Sequence, residues 1–402
     1  MKKIAFIIPW FDENIPGGAE MELRGLASHL SSAGVALEIL TTCVKELSAD
    51  WNVNYFAAGV CEVMGLKVRR FKVNGRTTEA FHKVNLKLMN NLPISQNEED
   101  IFLEEMVNSQ DLYDYIESNQ EAYELFVFIP YMFGTTYYGA QVCPEKSVLI
   151  PCLHDESYAY MRRFKEVFSS VRAMAFNAEP ESVLAHKIYD LSHMETAVLG
   201  IGLETEISGD KQRFIEKYNI HYPYILYAGR KDAGKNVDTL LRYFGEYKKR
   251  NLNDLKLILI GGGEIEIPSL AKNQVIDLGF VPMQDKYDAY SGSLLLCQPS
   301  KNESFSLVIM ESWLCKRPVL VHEQCKVTKH FASTAGGGLY FNDYFEFEGC
   351  VNYFLKNTET ANQMGLQGYD FVKSNFSWDI IVDKYIKFFK KVSQSEKEDS
   401  DY

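Results

Sequence analysis

The sequence predicts an α/β fold with two βαβ domains, and three observations lead to this prediction. The chain has 402 residues, more than one hydrophobic core of usual size accommodates. Short apolar runs alternate with helical patterns along most of its length. The alternation lapses around residues 200–202 and then starts again. We therefore predict one domain over 1–202 and a second over 203–377.

Composition and charge limit the class of protein. Apolar residues make up 46% of the chain and charged residues 24%, as in ordinary globular proteins. The formal net charge of −12 argues against nucleic acid as a main partner, because phosphate backbones require basic surfaces. No apolar run approaches the roughly 18 residues that a membrane helix requires. We expect a cytoplasmic protein.

The cysteines predict no metal centre. All eight lack Cys-x-x-Cys spacing, and most have apolar neighbours. Reduced, buried thiols explain this pattern, so we expect no metal ligands among them.

Strands and helices alternate through the first domain. Strands are predicted at 3–9, 35–41, 66–73, 125–130, 147–151 and 171–177, and helices at 19–32 and 181–189. The intervening segment 77–124 is polar, helical and partly acidic, and Pro93 interrupts it. It is either a solvated surface or a helical excursion that shapes an acceptor pocket.

The second domain has the same alternation of strands and helices. Strands are predicted at 224–228, 255–260, 275–278, 293–297, 319–322 and 338–341, and helices at 208–218, 236–250, 285–291, from about 305, and through 346–392. The last residues, 395–402, are charged and are predicted to be disordered.

The most informative stretch runs from Asn302 to Glu311 and follows a buried strand. If a helix begins near Phe305, its free N–H groups and positive dipole end form an anion site in the preceding loop. Glu303 lies at that mouth, and Glu311 lies about 9 Å further along the helix axis. The carboxylates are too far apart for an acid/base dyad, but they suit a long ligand with an anionic middle. A nucleotide sugar has that shape, although an ordinary capped helix would give the same pattern.

Other candidates follow predicted strands. Gly17 and Gly18 lie between the first strand and a helix, where backbone N–H groups can approach a phosphate. His154 follows the strand 147–151, at the carboxyl edge of a parallel sheet where α/β folds bind ligands. The run Gly261–Gly263 lacks the Gly-x-Gly-x-x-Gly spacing of dinucleotide sites.

Taken together, these pieces resemble glycosyltransferase family 4. The resemblance rests on Glu303 with Glu311 in Glu-x7-Glu spacing, Gly229-Arg230 with Lys235, Gly17-Gly18, His154-Asp155 and Gly336–Gly338. It implies a retaining enzyme of GT-B fold, with two Rossmann-like domains facing an interdomain cleft. It also implies that a helix at 378–392 crosses back to the first domain.

The resemblance implies roles for residues of the second domain. Arg230 and Lys235 would hold the donor diphosphate, together with backbone amides at Phe305, Ser306 and Leu307. Glu303 would bind hydroxyls of the transferred sugar, and Glu311 would bind the ribose. Phe280 and Val281 would meet the base through the main chain. Serine stands at positions 304 and 306, where many relatives have glycine.

In the first domain, Gly17 and Gly18 would approach the diphosphate, and His154 would stabilise the transition state beside the sugar. Asp155 would orient the histidine. Front-face attack is favoured by the family precedent, with the two cations and the helix end stabilising the leaving diphosphate. No metal or other cofactor is then needed.

The expected partners are a nucleotide-sugar donor, with UDP-glucose favoured over GDP-mannose and UDP-N-acetylglucosamine, and a saccharide or lipid-linked acceptor in polysaccharide biosynthesis. A lipid acceptor would bring the protein to the inner face of the membrane as a peripheral protein, and residues 162–165 are a modest basic candidate for that contact. Two alternatives remain open: a nucleotide-sugar epimerase of the same fold, and a catalytically silent nucleotide-sugar-binding subunit.

Overall fold

The computed structural model describes residues 2–399, apart from the side chains of Ala233 and of 395–399. The chain forms two compact units. One comprises the residues up to Leu203 together with the chain from Trp378 onward, and the other comprises Glu204–Ser377. The predicted boundary at 202/203 lies one residue from this division.

The first unit contains eight strands. They are β1 Lys3–Ile8, β2 Leu37–Thr42, β3 Gly59–Val63, β4 Leu66–Phe71, β5 Tyr123–Phe128, β6 Ser147–Leu149, β7 Ala173–Phe176 and β8 Glu195–Val198. They form one sheet in the order β3-β4-β2-β1-β5-β6-β7-β8. All neighbours are parallel except β3 and β4, which are antiparallel. The parallel arrangement places the loops after β1 and β6 at one edge of the sheet.

Eight helices accompany this sheet. They are α1 Gly18–Ser32, α2 Thr78–Met89, α3 Gln96–Glu104, α4 Gln110–Asn119, α5 Gly134–Gly139, α6 Arg162–Phe168, α7 Glu179–Ile188 and the last helix, Trp378–Asp399. The predicted helical segment 77–124 therefore divides into α2, α3 and α4. Ser95 caps α3 in a capping box with Glu98, and Ser109 caps α4.

The second unit has six strands and seven α-helices. Its strands are β9 Tyr224–Ala228, β10 Lys256–Ile260, β11 Val275–Asp277, β12 Leu295–Gln298, β13 Val319–His322 and β14 Gly338–Phe341. Its helices are α8 Lys211–Tyr218, α9 Val237–Arg250, α10 Met283–Gly292, α11 Leu307–Leu314, α12 Lys326–Ala335, α13 Tyr344–Lys356 and α14 Thr358–Asn375, with a short 3-10 turn at Ala233–Lys235.

All strands of the second sheet are parallel, in the order β11-β10-β9-β12-β13-β14. Both faces of its central strands are covered, so β9 reads Tyr-Ile-Leu-Tyr-Ala and is buried throughout. The order changes direction beside β9, where β10 lies on one side and β12 on the other. Loops at such a switch point commonly bind ligands, and they carry Arg230 and Glu303.

The last helix, α15 (Trp378–Asp399), belongs to the first unit. A helix at 378–392 is predicted to cross back to the first domain. Its Trp378 stacks on His29 of α1, with ring centroids 4.2 Å apart. The helix continues into the predicted disordered tail as far as Asp399, because Gln, Glu and Lys in this segment are good helix formers. Residues 400–402 lie outside the described residues.

Within the described part of the chain, no helix is both long enough and apolar enough to cross a membrane. The basic segment 162–165 lies on α6, and both of its arginines are engaged with acids. Arg162 pairs with Glu166 at 2.8 Å, and Arg163 pairs with Asp100 at 2.7 Å.

Candidate active site

Two predicted site residues of the second unit meet at the start of α11. The Lys235 Nζ atom lies 2.7 Å from Glu303 Oε1, and Gln298 Nε2 lies 3.4 Å from the same oxygen. Asn236 Nδ2 donates to the Pro299 carbonyl at 2.9 Å, which ties the loop after β9 to the loop after β12. The structure thus places one cation beside one carboxylate at the carboxyl edge of the sheet.

Helix α11 begins at Leu307, two residues later than the sequence predicts. Ser306 takes a left-handed conformation with φ of 76°, because the chain must turn after burying the Phe305 ring. That ring is 1% exposed and packs edge-on against Phe331 and Phe376, with centroids 5.2 and 5.0 Å away. Leu307 is consequently the first helical residue, and the amides of Phe305 and Ser306 lie in the loop.

Arg230 is held by its backbone rather than by its side chain. The hydroxyl of buried Tyr227 donates to the Arg230 carbonyl. The guanidinium is 67% exposed, and its Nε lies 3.4 Å from Asp232 Oδ2. An exposed, loosely paired arginine can turn towards an anion at little cost.

Glu311 is engaged within its own unit. Lys286 Nζ lies 2.7 Å from Oε1, and the Tyr290 hydroxyl donates to Oε2 at 2.9 Å. Burial, with the nearby Glu311 charge, raises the pKa of Tyr290 well above its usual range, so Tyr290 remains a donor. A ribose hydroxyl at Glu311 would have to share the carboxylate with these two donors.

Phe280 and Val281 follow β11 in the loop before α10. The Phe280 side chain is 83% exposed, whereas Val281 is half-buried. The Phe280 ring stands beside Gly262, so the loops after β10 and β11 are neighbours at the carboxyl edge of the sheet. An exposed aromatic ring at such an edge offers a surface on which a base can stack.

Gly17 and Gly18 lie at the start of α1 in the first unit. Gly17 has φ of 144°, and a Cβ there would lie 1.9 Å from Glu20 Oε2. Glu20 in turn accepts a hydrogen bond from Trp10 Nε1. Gly18 has open space around the position of a Cβ. Glycine at position 17 is therefore required locally, and the start of α1 is unobstructed at Gly18.

His154 lies in the loop after β6, with its side chain 32% exposed. Its Nδ1 is 3.7 Å from Glu156 Oε1, which accepts a hydrogen bond of 2.9 Å from the buried Tyr131 hydroxyl. Asp155 instead accepts from Tyr160 at 2.7 Å. The carboxylate within 4 Å of the histidine is thus Glu156, and the orienting role of Asp155 stays a prediction.

Two buried acids lie beneath the His154 loop. Glu181 of α7 accepts 2.6 Å bonds from the backbone N–H groups of Leu153 and Asn177. Glu22 of α1 accepts a 2.9 Å bond from Asn177 Nδ2. Burial raises the pKa of both acids to about 8, and the charge of Glu181 contributes to the rise at Glu22. Both acids therefore hold a proton more readily than an exposed glutamate does.

Among residues 2–399, no group of three or more His, Cys, Asp or Glu side chains is placed to hold a metal ion.

Comparison with known proteins bears on the second unit. Residues 209–371 match the family model described as glycosyl transferases group 1. The predicted resemblance to glycosyltransferases, and the predicted class of enzyme, are confirmed for the second unit. Family 4 within that class stays a prediction.

One curated relative is similar over part of the chain. It is a D-inositol 3-phosphate glycosyltransferase from Saccharomonospora viridis, 25% identical over 175 residues. The match covers 39% of this chain and 41% of the relative, so the chain spans less than half the length of that relative.

Solved glycosyltransferase structures are similar over nearly the whole chain. Sucrose-phosphate synthase from Thermosynechococcus elongatus gives a TM-score of 0.70 at 15% identity, covering 98% of this chain and 100% of that one. Anabaena Alr3699/HepE in complex with UDP and glucose gives a TM-score of 0.70 at 13% identity. The match covers 97% of this chain and 100% of that one. At these identities the likeness establishes the fold, and the predicted GT-B fold with two Rossmann-like domains is confirmed.

Most predicted site residues lie within the group 1 glycosyl transferase segment. They are Arg230, Lys235, Phe280, Val281, Glu303, Phe305, Ser306, Leu307 and Glu311. Gly17, Gly18 and His154 belong to the other unit. Their roles in binding or catalysis stay predictions.

Sequence reasoning missed the residues that support the site. Glu156 lies two positions after His154, and in a loop this spacing does not indicate that the two side chains are in contact. Glu181 follows Pro180 in the first turn of α7. An acid at such a position is usually exposed and interacts with the positive end of the helix dipole. Lys231 stands next to Arg230 but is buried. Only the folded chain distinguishes these residues from ordinary surface charges.

Proposed function

We propose that this protein is a retaining glycosyltransferase of family 4 that transfers a hexose from a nucleotide sugar to a saccharide or glycolipid acceptor in polysaccharide biosynthesis. The observation that carries the proposal is the Lys235–Glu303 contact of 2.7 Å at the start of α11, inside the group 1 segment. UDP-glucose is the favoured donor, which agrees with the UDP and glucose bound by the similar HepE structure.

The donor diphosphate would be bound by cations and by a helix end. Lys235 uses one of its three N–H donors on Glu303, so two can reach phosphate oxygens. Arg230 is exposed and can turn towards the same group. Amides at Phe305 and Ser306, and the first amide of α11 at Leu307, add donors and a positive dipole end.

The remaining donor contacts follow the same arrangement. Glu303 has a second carboxylate oxygen with which to accept hydroxyls of the transferred sugar. Glu311 would accept from the ribose while keeping its bonds to Lys286 and Tyr290. Phe280 and Val281 would contact the base, Phe280 through its exposed ring as well as its main chain.

We propose that His154 is the catalytic side chain of the first unit and stabilises an oxocarbenium-like transition state. The Glu156 carboxylate, 3.7 Å from the ring Nδ1, can orient the ring. Gly17 and Gly18 would leave room for the diphosphate. Departure and attack on one face of the sugar would retain the anomeric configuration.

No resident metal or cofactor is proposed, since Arg230 and Lys235 can neutralise the leaving diphosphate themselves. The proposed location is the cytoplasm, at the inner face of the membrane when the acceptor is a lipid.

A turnover assay tests the proposal. The full-length protein is incubated with UDP-[14C]glucose and a panel of saccharide and lipid-linked acceptors. We expect UDP release with transfer of label, an α-anomeric product by NMR, and loss of turnover in His154→Asn with nearly unchanged UDP affinity. Interconversion of two UDP-sugars would indicate an epimerase instead, and UDP-sugar binding without any turnover would indicate a binding subunit.

A further inference from the structure

Three loops of the second unit are joined to one another at the carboxyl edge of the sheet. They follow β9, β10 and β11, which lie side by side. The Lys231 N–H donates to the Gly262 carbonyl at 2.8 Å, and the Gly261 N–H donates to the Gly279 carbonyl at 2.8 Å. The loop after β10 therefore connects the loop that carries Arg230 to the loop that carries Phe280.

An ion pair between a buried lysine and a partly exposed aspartate spans the same three strands. Lys231 is 5% exposed, and its Nζ lies 2.6 and 2.7 Å from the two carboxylate oxygens of Asp277. Asp277 Oδ1 also accepts the Gly279 N–H at 2.9 Å. The lysine thus reaches from the end of β9, past β10, to the end of β11.

The glycine run 261–263 allows this approach. A Cβ on Gly261 would lie 2.0 Å from the Gly229 carbonyl oxygen. A Cβ on Gly263 would lie 2.9 Å from the Lys231 carbonyl oxygen, and Gly263 also has φ of 95°. The run therefore serves close packing of the three loops, which explains glycines that do not fit the dinucleotide-binding spacing.

An ion pair with one buried partner is weak evidence for stability, because desolvation of the lysine offsets much of the Coulomb energy. Its better-attested use is to fix the register of the parts that it joins. Here one part carries the proposed diphosphate ligand Arg230, and the other carries the proposed base contacts Phe280 and Val281.

We propose that Lys231 and Asp277 are a positioning pair that fixes the separation between the diphosphate loop and the base loop, so that the second unit selects ligands containing both a base and a diphosphate. This inference rests on the proposed function. Neither residue is expected to touch the donor through its charged group, since each already holds the other. Their effect should appear when one ligand has to reach both loops.

The test compares a linked ligand with its fragments. UDP, uridine and inorganic pyrophosphate are titrated calorimetrically into the full-length protein, with the fragments measured by competition when they bind weakly. The variants are Lys231→Met, which keeps the buried stem, and Lys231→Met/Asp277→Asn, which removes both charges. Lys256→Met is the matched control, because that lysine bonds to Asn273 and Gln274 near the other end of β11.

We expect about a tenfold loss of UDP affinity in both pair variants, because preorganisation of the two loops is lost. Pyrophosphate and uridine should change less than about twofold, and Lys256→Met should match the wild type. Equal losses for all three ligands, or unchanged UDP affinity, would overturn the inference. Absence of UDP binding by the wild type would instead overturn the proposed function on which the inference stands.

Discussion

At the scale of single residues, the Lys235–Glu303 contact brings together the proposed ligand of the donor diphosphate and the proposed ligand of the donor sugar. In the proposed site, the lysine would bind the leaving diphosphate, and the carboxylate would bind hydroxyls of the transferred sugar. With 23% and 10% of their side chains exposed, the two residues are partly shielded from water, which strengthens their electrostatic interaction. The contact positions both groups before a donor arrives.

Glu303→Gln should therefore lower kcat by about 100-fold while changing UDP affinity by less than about threefold, because a transition-state contact is lost and Lys235 is left free for phosphate. Steady-state kinetics and calorimetry measure the two effects. Glu359→Gln, an exposed acid in the first turn of α14, is the control. Equal losses of turnover and nucleotide affinity would contradict the proposed role of Glu303.

The buried acids Glu22 and Glu181 act on a different property, the stability of the first unit. Their folded-state pKa values of about 8 stand above the usual 4.5. Between these values the folded protein holds protons that the unfolded chain has released. The free energy of unfolding should therefore be highest near pH 5 and fall as pH rises towards 8, by up to about 1.4 kcal/mol per pH unit and proton.

Glu22→Gln should flatten this decline, because the amide resembles the protonated acid at every pH. Asn177 Oδ1 and the Tyr385 hydroxyl are buried without a hydrogen-bond partner among the described residues, and either can accept from the new amide. Urea denaturation at pH 5.5 and pH 8 measures the change. Glu62→Gln, at an exposed position, is the control and should keep the wild-type decrease in the free energy of unfolding between the two pH values. If Glu22→Gln shows the same decrease as the wild type, the buried acids do not titrate in this range.

At the scale of elements, α11 is fixed by one aromatic residue. Phe305 enters the core with Phe331 and Phe376, and this forces the turn at Ser306 that starts the helix. The helix end and the loop with Glu303 are consequently set by packing of a side chain that is buried in the core.

Phe305→Ala should lower the free energy of unfolding by about 3–5 kcal/mol through loss of buried area and creation of a cavity. Hydrogen exchange followed by mass spectrometry should show faster exchange in α11, α12 and α14, with no change in β1. Phe345→Ala, at a side chain 69% exposed, is the control. Unchanged exchange in α11 would show that Phe305 does not fix the helix.

Buried apolar strands and long amphipathic helices could be predicted from the sequence, even the three-residue strands β6 and β11, whereas exposed strands and very short helices could not. Strands β1, β9 and β10 and helices α1 and α9 lie where their apolar patterns place them. Strand β3 is mostly exposed and has no buried face to produce alternation, so it was missed. Helices α5 and α6 are six and seven residues long, too short for a recognisable period.

At the scale of the whole molecule, the division into two units could be predicted because the pattern of apolar runs stops and restarts. The partners of the site residues could not, since Lys231–Asp277 and Glu181–Leu153 join positions 46 and 28 residues apart. Such pairs depend on strand order, and a single sequence does not determine strand order by periodicity.

The return of α15 to the first unit depends on close packing around Trp378. A Cβ on Gly25 would lie 2.3 Å from the Trp378 ring, and one on Gly202 would lie 2.0 Å from it. Gly25→Ala should therefore displace the indole and destabilise the first unit by about 1–3 kcal/mol. Exchange should increase in α1 and α15 but not in α11. Gly349→Ala, with open space at its Cβ, is the control, and equal effects of both substitutions would contradict this account.

The central claim is that the second unit binds a nucleoside diphosphate through Lys235 at the start of α11. Calorimetric titration of UDP into the wild type, Lys235→Met and Lys235→Met/Glu303→Gln tests it most directly, with Lys249→Met, 64% exposed, as the control. The account predicts that the wild type and the control bind alike, and that both Lys235 variants bind at least about tenfold more weakly. Equal UDP affinity in all four proteins, or no binding by the wild type, would contradict it.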